Sequence, residues 1–442
     1  MKLKHIIGIG LTAAVIAITI YKFSSTDAEV KIYNTTDLHS HFTKQLKEHL
    51  SQIDHKNSVL LDAGDMLDSQ TPDDTQWSTG QKSIGYLEGD VSGHVTETVS
   101  KPMEGLSPTA KEVVDAKYDA AVLGNHEFYV EPDSLKKYID AFRENKLPLL
   151  SANTYFTKEY IGGERDMPIS EPYIIKKIHN KNKDIKIGII GVTTNTINEE
   201  AFKNGQEKFS KDVYLQNNPQ YRGKYYMTDM VEESIRVAKK LKEKENPDMI
   251  ILVAHSGEKP KKPRHSGNRI QELAKRVPYV DLIIAGHTHE FIDQHEYKGP
   301  YGKKVIVTQS GAHSKGLGES SAKFTFKNNK WTLNKLSSKN IKFKADRNDV
   351  EYDSFNTESE EGLKKIGFSK VSADEFKTLV KNNKNVQLEF FITSNKKINF
   401  PKDKNIISNK EYYYKRDKTY IYYLTTRDYK TAADYTEKYK TD

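Results

Sequence analysis

Five short apolar runs in the first two thirds of the chain each end in glycine or in polar residues. They cover residues 30–33, 59–61, 120–123, 249–253 and 282–285. Short β-rich apolar runs that end in this way are typical of buried strands. Ligands of open α/β sheets bind just beyond the carboxyl ends of the strands. The residues that follow the five runs are therefore predicted to converge on one crevice.

Strands alternate with polar loops or helices from Glu29 to about Asn340, which predicts an α/β domain. One helix is predicted at residues 108–116, because Ser107 can begin it and a proline occupies its first turn. A second helix is predicted near residues 231–244.

Two late strands, at residues 304–308 and 322–326, indicate a second sheet. Asn328 and Asn329 mark the turn after the second of these strands. Residues 69–108, which lie between two predicted strands, are interpreted as a long loop.

The composition becomes acidic and polar between residues 341 and 361, which predicts a domain boundary. Since 442 residues exceed the usual size of a single hydrophobic core, two domains are expected. We predict a catalytic domain at residues 29–340 and a small accessory α+β domain at residues 341–442.

The accessory region carries three local signals. Ser372 and Glu375 fit a capping box that begins a short helix. Residues 386–390 alternate as a strand, and two tyrosine-rich runs suggest a hairpin around residues 415–418. These tyrosines either pack on a half-buried sheet, which their β-propensity favours, or stack on a nucleobase or sugar.

The first residues have the pattern of an export signal. Lys2 and Lys4 precede an uncharged stretch at residues 6–20, and Ala28 ends a possible cleavage site. The stretch is shorter than the roughly 20 residues of a usual spanning helix. Residues 1–28 are therefore predicted to be a signal peptide or a signal anchor. The protein is expected to be secreted or membrane-anchored, with its catalytic domain outside the cytoplasm.

The amino-acid composition excludes several kinds of catalytic and metal-binding site. The chain has no cysteine, which excludes disulfides, thiolate metal sites and cysteine nucleophiles. Its net charge of +8 and pI near 9.0 favour anionic partners or an anionic cell surface, although Lys-rich surface solubility explains the same charge. No specific nucleic-acid role is expected.

Side chains suited to metal binding follow the five apolar runs. They are Asp37, His39, Asp65, Asn125, His255, His287 and His289. Mixed nitrogen and oxygen ligands without sulfur suit Mn, Zn, Fe or Co better than Ca or Mg. Two such ions can activate a shared water and neutralise phosphoryl oxygens during in-line displacement. The pattern therefore predicts two divalent metal ions and phosphate ester hydrolysis.

The spacing also suggests which ligand serves which ion. Asp65 has two carboxylate oxygens and can bridge both ions. The first ion is assigned Asp37, His39 and His289, and the second is assigned Asn125, His255 and His287.

The remaining histidines are interpreted by their neighbours in sequence. His126 follows a predicted ligand and so points elsewhere in the same pocket, where it can donate a proton or hydrogen bond to the leaving oxygen. His313, in a Gly-Ala-His segment, is predicted to be a pocket residue. Polar flanks favour surface positions for four others: His41, His94, His265 and His295.

On these residues the chain resembles the calcineurin-like metallophosphoesterases, and within them the exported 5'-nucleotidase and cyclic phosphodiesterase branch. The matching segments lie at residues 36–40, 61–65, 124–128, 150–153, 254–257 and 286–289. The resemblance runs from Val30 to near Asn340. It implies a four-layer α/β/β/α sandwich, a dinuclear centre, and phosphoester hydrolysis outside the cytoplasm. It implies the roles given above for Asp37, His39, Asp65, Asn125, His126, His255, His287 and His289.

Two features depart from that branch. An Asp usually lies three residues after the catalytic histidine and orients it, whereas this chain has Tyr129 there. Glu127, Glu131 and Asp133 are the candidates to replace that Asp. The accessory region also lacks recognisable matches to the arginines and paired aromatics with which the branch holds nucleotides.

Three hypotheses remain open from the sequence. The first is a phosphomonoesterase resembling 5'-nucleotidases, with a small phosphorylated substrate, possibly a nucleotide. The second is a phosphodiesterase or phosphatase for cyclic nucleotides or cell-surface phosphate polymers. The third is a surface binding module in which the metal site is vestigial and the tyrosine-rich region does the binding. Under any of the three, the N-terminal segment can associate the protein with a membrane or the cell surface.

Overall fold

The computed structural model describes residues 26–439 apart from nine internal gaps. The gaps are residues 69–70, 88, 158–164, 182, 198–214, 219, 259–266, 345–368 and 415–418. Residues 1–25 of the predicted export segment thus lie outside the described residues, and residues 26–28 begin the first strand. Within the described part, no helix is both long and apolar enough to cross a membrane.

Twenty strands are present among the described residues. In chain order they are β1 (Thr26–Thr35), β2 (Ser58–Asp62), β3 (Gln81–Leu87), β4 (Gly93–Thr98), β5 (Ala120–Val122), β6 (Leu149–Leu150), β7 (Thr154–Phe156), β8 (Tyr173–Ile178), β9 (Ile185–Thr193), β10 (Tyr225–Met227), β11 (Met249–His255), β12 (Leu282–Ala285), β13 (Phe291–Lys298), β14 (Lys304–Ser310), β15 (Gly316–Lys327), β16 (Lys330–Lys342), β17 (Ser369–Val371), β18 (Val386–Ser394), β19 (Ile406–Tyr414) and β20 (Thr419–Thr426).

The described α-helices are α1 (Lys44–Leu50), α2 (Pro72–Thr79), α3 (Pro108–Asp115), α4 (Pro132–Glu144), α5 (Met230–Lys244), α6 (Ile270–Arg276), α7 (Ala373–Asn382) and α8 (Tyr429–Lys438). The two helices predicted in the catalytic region are confirmed as α3 and α5. The hydroxyl of Ser107 caps α3 by accepting a hydrogen bond from the backbone N–H of Ala110.

Two six-stranded sheets form the centre of the catalytic region. Their strand orders are β16-β15-β1-β2-β5-β6 and β13-β14-β12-β11-β9-β8. In the first sheet β1, β2 and β5 run parallel, and in the second β11 and β12 run parallel. All five predicted strands are therefore confirmed. The two late predicted strands are also present, but β14 lies in the second sheet and β15 in the first.

Three apolar layers hold the sheets and helices together. Successive residues of a strand face opposite sides, so Val59 and Leu61 of β2 enter the core between the sheets while Leu60 packs under the helices of the first sheet. In β11, Ile251 faces the core between the sheets and Ile250 packs under α5 and α6. Burial on both faces explains the continuous apolar runs. The four-layer α/β/β/α sandwich that the sequence predicts is confirmed.

A third six-stranded sheet contains the accessory region and has the order β17-β3-β4-β18-β20-β19. The capping box before α7, the strand β18 and the antiparallel pair β19 and β20 are confirmed. The predicted turn at residues 415–418 lies outside the described residues. Strands β3 and β4 come from the segment at residues 69–108, so the interpretation of that segment as a loop is wrong.

The hairpin of β3 and β4 is hard to predict from the sequence because few of the hairpin's residues are buried. Leu87, Val91 and Val95 enter the accessory core, where they meet Phe376 and Leu388, whereas most of β3 is exposed or half-buried. A strand with so few apolar positions shows little alternation. The other strand of the hairpin, β4, forms its outer hydrogen bonds with β18, which lies in a distant part of the chain.

Candidate metal centre

The predicted ligands lie where the chain turns sharply away from the strand ends. Five of the seven have a left-handed backbone, with φ of 51° at Asp37, 44° at His39, 56° at Asp65, 74° at His287 and 58° at His289. This conformation is uncommon for residues other than glycine and is typical of functional sites held by their surroundings. Because the turns break the alternation of the strands, residues two apart can face the same point.

One group of ligand atoms lies around His39. Its Nε2 is 2.9 Å from Nε2 of His289, 4.0 Å from Oδ1 of Asp37 and 3.9 Å from Oδ2 of Asp65. His289 Nε2 is also 3.5 Å from Oδ1 of Asp37. Asp37, His39 and His289 are the three residues predicted to bind the first ion. Asp65 is the residue predicted to bridge both ions.

A second group lies around His255, which is fully buried. Its Nε2 is 3.0 Å from Oδ2 of Asp65 and 3.1 Å from Oδ1 of Asn125. The His287 ring lies 5.2 Å from the His255 ring, and ligand atoms of Asp65, His255 and His287 lie within 4.8 Å of one another. Asp65 Oδ2 therefore faces both groups.

The chemistry of the second group fits a cation. Nδ1 of His255 is 2.8 Å from the carbonyl oxygen of Ala63, so the neutral ring carries its proton on Nδ1 and a lone pair on Nε2. The neighbours of Nε2, the Asp65 carboxylate and the Asn125 amide oxygen, are acceptors as well. Three acceptor atoms this close are favourable only around a proton or a metal ion.

The raised pKa of His255 indicates that a positive charge is favourable at this point. Burial alone would lower the pKa, but the Asp65 carboxylate outweighs burial and raises it to about 10. A metal ion would take the same lone pair and release the proton. The residues present thus fit a divalent cation in each group.

Backbone hydrogen bonds fix the carboxylate of Asp37. The N–H of His287 donates to both of its oxygens at 3.0 Å, and the Thr36 hydroxyl donates to Oδ2 at 2.6 Å. Asp37 also donates its own N–H to the carbonyl oxygen of Gly64 at 2.9 Å, which ties the ends of β1 and β2 together. The ligand atoms are therefore positioned by the scaffold.

Two glycines allow the strand ends to approach this closely. A side chain at Gly64, which has a φ of 99°, would come within 2.7 Å of His255 Nδ1. At Gly124, a Cβ would come within 2.2 Å of Asp65 Oδ1. Both positions require glycine because the ligands occupy the space that a side chain needs.

His126 lies next to both groups. Its backbone N–H donates to Asp65 Oδ1 at 2.8 Å, and its Nε2 is 3.9 Å from Asp65 Oδ2. Burial opposes a charged ring, but Asp65 and Asp68 outweigh it and raise the pKa of His126 to about 9. Ligand atoms of His39, Asp65 and His126 also lie within 4.8 Å of one another, so the non-ligand role of His126 stays a prediction.

The other histidines divide into two sets. His313 is buried, and its ring lies 5.3 Å from that of His39 and 5.4 Å from that of His289, which places it in the pocket. His41 was assigned to the surface but is half-buried, with its ring 4.9 Å from that of His313, because the loop after β1 turns beneath residues 311–315. His94 and His295 are exposed, and His265 lies outside the described residues.

Glu127 has a role that its sequence position did not reveal. It was a candidate for orienting His126, but its buried carboxylate faces the backbone instead. Its two oxygens accept N–H groups from Asp65, Met66, Leu67 and Gly124 at 2.6–3.2 Å. Glu127 thus fixes the loop that carries Asp65 to the loop that carries Asn125.

We expect Glu127→Ala to lower the free energy of unfolding by roughly 3 kcal/mol or more, because each buried N–H left without an acceptor costs about 1–3 kcal/mol. Urea unfolding of the metal-free protein measures this. Glu131→Ala is the matched control, because that side chain is exposed and caps no N–H of α4. Equal losses of stability in both variants would contradict the role of Glu127.

Together the sandwich fold and the His, Asp and Asn cluster at its strand ends define a phosphoester hydrolase of the metallophosphoesterase class. The chain belongs to the calcineurin-like phosphoesterase family, whose sequence model matches residues 30–291. It is distantly related to 5'-nucleotidases and 2',3'-cyclic phosphodiesterases. This family typically carries a binuclear metal centre, and the clusters described above are the candidate groups for it.

Three comparisons illustrate the relationship. The chain is 23% identical over 341 residues to a 2',3'-cyclic-nucleotide 2'-phosphodiesterase/3'-nucleotidase of Haemophilus influenzae, covering 70% of this chain and 44% of the relative. It is 33% identical over 206 residues to a 5'-nucleotidase of Vibrio cholerae, covering 46% and 31%. The chain therefore spans less than half the length of these relatives. The calcineurin-like phosphoesterase YfkN from Bacillus subtilis shares the fold, with a TM-score of 0.50 and 21% identity over 72% of this chain and 91% of that one.

Proposed function

We propose that this protein is a 5'-nucleotidase-like phosphomonoesterase that acts outside the cytoplasm through a dinuclear metal centre. The single observation that carries the proposal is the position of Asp65. One of its carboxylate oxygens faces the His39 group and the His255 group at once, as a bridging ligand of two ions requires. When bound, two divalent ions supply an activated water and positive charge for the phosphoryl oxygens.

The chain's own residues would hold that centre from two sides. Asp37 and His289 lie on one side of the predicted centre, and Asn125 lies on the other. Nδ2 of Asn125 donates a hydrogen bond of 3.4 Å to the Tyr129 hydroxyl, which orients the amide. His126 is 20% exposed, so it can meet the leaving group from the solvent side and give it a proton.

Three further observations support nucleotides and an extracytoplasmic location. Relatives from two branches are named for activities on nucleotides. The net charge of +8 favours anionic substrates, and the basic and apolar N-terminal pattern favours export. Recovery of the protein from a cytoplasmic fraction, with none in the membrane or medium, would contradict the location.

We expect the purified protein without residues 1–25, in which β1 is intact, to hydrolyse p-nitrophenyl phosphate with Mn²⁺ and to lose this activity with a chelator. The reason is that buried acceptor atoms of both groups need a cation before an anionic substrate can approach. Activity should return when Mn²⁺, Zn²⁺ or Co²⁺ is added in excess of the chelator. Absence of turnover with every divalent metal would refute the proposed reaction and favour a binding module with a vestigial site.

A second candidate, a cyclic nucleotide phosphodiesterase, is favoured by the name of the Haemophilus influenzae relative. Rates on adenosine 5'-monophosphate, a 2',3'-cyclic nucleotide and a polymeric phosphodiester, measured on the metal-loaded protein, separate the candidates. The proposed function requires the monophosphate to have the highest kcat/KM. A preference for either diester would replace it with the second candidate or with a cell-surface polymer as substrate.

A further inference from the structure

One carboxylate lies between two imidazoles of the site. Oδ2 of Asp68 is 2.9 Å from Nδ1 of His126 and 3.0 Å from Nδ1 of His39. The backbone N–H of Asp68 donates to the Ser40 hydroxyl at 3.3 Å, which joins the loop after β2 to the loop after β1. The side chain is 21% exposed. The same oxygen thus contacts a predicted ligand and the predicted proton donor.

The carboxylates close to His126 in sequence face elsewhere. Glu127 binds backbone N–H groups, while Glu131 and Asp133 are exposed at the start of α4. Tyr129 lies against the His126 ring at 4.4 Å between centroids and supplies no carboxylate. Asp68, which reaches the ring from a different strand end, is placed where a carboxylate can orient it.

Orientation follows from the two nitrogen atoms of each ring. When Asp68 holds the proton of Nδ1, Nε2 is directed to the opposite side of the ring. In His39 that side faces Asp37, Asp65 and His289. In His126 it faces the cavity beside Asp65. The contact of Asp68 with His39 is a hydrogen bond, whereas its contact with His126 is an ion pair at 2.9 Å. A carboxylate at this distance from Nδ1 favours one orientation of the ring, as carboxylates do behind many metal-bound histidines.

We propose that Asp68 is the positioning residue that orients His126 toward the leaving group, an inference that rests on the proposed function. In the step it supports, the bond between phosphorus and the leaving oxygen breaks and that oxygen takes the proton from Nε2 of His126. The neutral ring keeps its Nδ1 proton toward Asp68. Of the two protons of the attacking water, one remains on the phosphate product and the other returns to Nε2 of the His126 ring.

Two substrates whose leaving groups differ in their need for a proton distinguish a positioning role of Asp68 from a purely structural role. A p-nitrophenolate leaves without a proton, whereas the ribose oxygen of adenosine 5'-monophosphate needs one. With saturating Mn²⁺, Asp68→Asn should lower kcat on the nucleotide by about 10²-fold and on p-nitrophenyl phosphate by less than about 10-fold, with little change in KM. Glu131→Gln, the matched exposed control, should change neither rate. Equal losses on both substrates would overturn the proposal.

A double-mutant cycle adds a second criterion. If Asp68 acts through His126, Asp68→Asn should have almost no further effect on the nucleotide rate in a His126→Ala background. Additive losses would show that the two side chains act independently and would overturn the proposal.

The third readout does not depend on turnover. In ¹⁵N NMR spectra of the Zn²⁺-loaded protein at a pH where the His126 ring is neutral, that ring, assigned by its absence in His126→Ala, should be protonated on Nδ1. In Asp68→Asn this tautomer should no longer be fixed. An unchanged His126 signal in Asp68→Asn would refute the positioning role. If the native protein turned over neither substrate, the proposed function would fail, and the NMR result would still decide what Asp68 does.

Discussion

Replacing Asp65 by asparagine is expected to remove both metal ions and to lower kcat/KM by about 1000-fold or more, since a metal centre contributes several kcal/mol to transition-state stabilisation. Asparagine keeps the Oδ1 acceptor that binds the His126 N–H but places an uncharged amide where Oδ2 faces His255. The amide N–H would occupy the Nε2 lone pair of His255 that a cation needs. Metal analysis after gel filtration and steady-state kinetics measure both losses.

The same variant should remain folded. Oδ2 of Asp65 is a buried negative charge, but His255 and His126 outweigh the effect of burial and hold the pKa of Asp65 well below its usual range, so the carboxylate stabilises the metal-free protein. We expect the thermal midpoint of metal-free Asp65→Asn to lie below that of the native protein, while the variant still unfolds cooperatively. Added Mn²⁺ should raise the midpoint of the native protein and leave that of the variant unchanged, because only a ligand bound to the folded state stabilises it.

Asp62→Asn provides the matched control. Asp62 lies at the end of the same strand and is as buried as Asp65, but its oxygens accept from the Thr35 hydroxyl and the Gly64 N–H and face no histidine. Burial raises the pKa of Asp62 to about 8, so near neutral pH the side chain is already largely uncharged. This variant should keep metal and activity. Similar loss of metal in both variants would contradict the bridging role of Asp65.

The sequence predicts the arrangement of the catalytic region because one physical rule connects the apolar runs to the site. Runs buried on both faces become central parallel strands, and parallel strands present their carboxyl ends at one edge. The residues that follow, from Asp37 to His289, therefore approach one another without any knowledge of loop conformation. The same rule explains why all eight predicted site residues lie within one cluster of the structure.

Features that depend on loop conformation were beyond that rule. Asp68 reaches His126 only because the loop after β2 turns back at Asp65, whose left-handed backbone is fixed by contacts with Glu127. A carboxylate three residues after a predicted bridging ligand was the one local signal, whereas the candidates predicted to orient His126 are carboxylates close to it in sequence. The hairpin of β3 and β4 was missed for a related reason, since its partner strand β18 lies in a distant part of the chain.

The accessory sheet determines which experiment best tests the role of the accessory region. Because β4 pairs with β18, a chain shortened after Asn340 would lose the partner of a hairpin that is inserted between β2 and α3. Loss of activity after such a deletion would then report damage near Asp65 and Asp68 as well as loss of the accessory sheet. Point substitutions on the exposed face of that sheet, where Phe391 is 49% exposed, avoid this ambiguity.

Replacing His126 by alanine should separate the reaction from metal binding. We expect the variant to retain both metal ions while kcat on adenosine 5'-monophosphate falls by about 10²- to 10³-fold, the usual contribution of a positioned proton donor. The backbone N–H that binds Asp65 Oδ1 remains, so the bridging carboxylate keeps that contact. Metal stoichiometry and kcat, measured on the same preparation, provide the two readouts.

The comparison among three variants decides between a proton donor and a ligand. His295→Ala removes an exposed imidazole that pairs with Glu258 and is in none of the candidate ligand groups among the described residues, and it should change neither metal content nor rate. If His126→Ala lost metal as Asp65→Asn does, then His126 would belong to the ligand group that it shares with His39 and Asp65. If it kept metal and full activity on the nucleotide, the leaving oxygen would take its proton from another group, and His313 would be the next imidazole to replace.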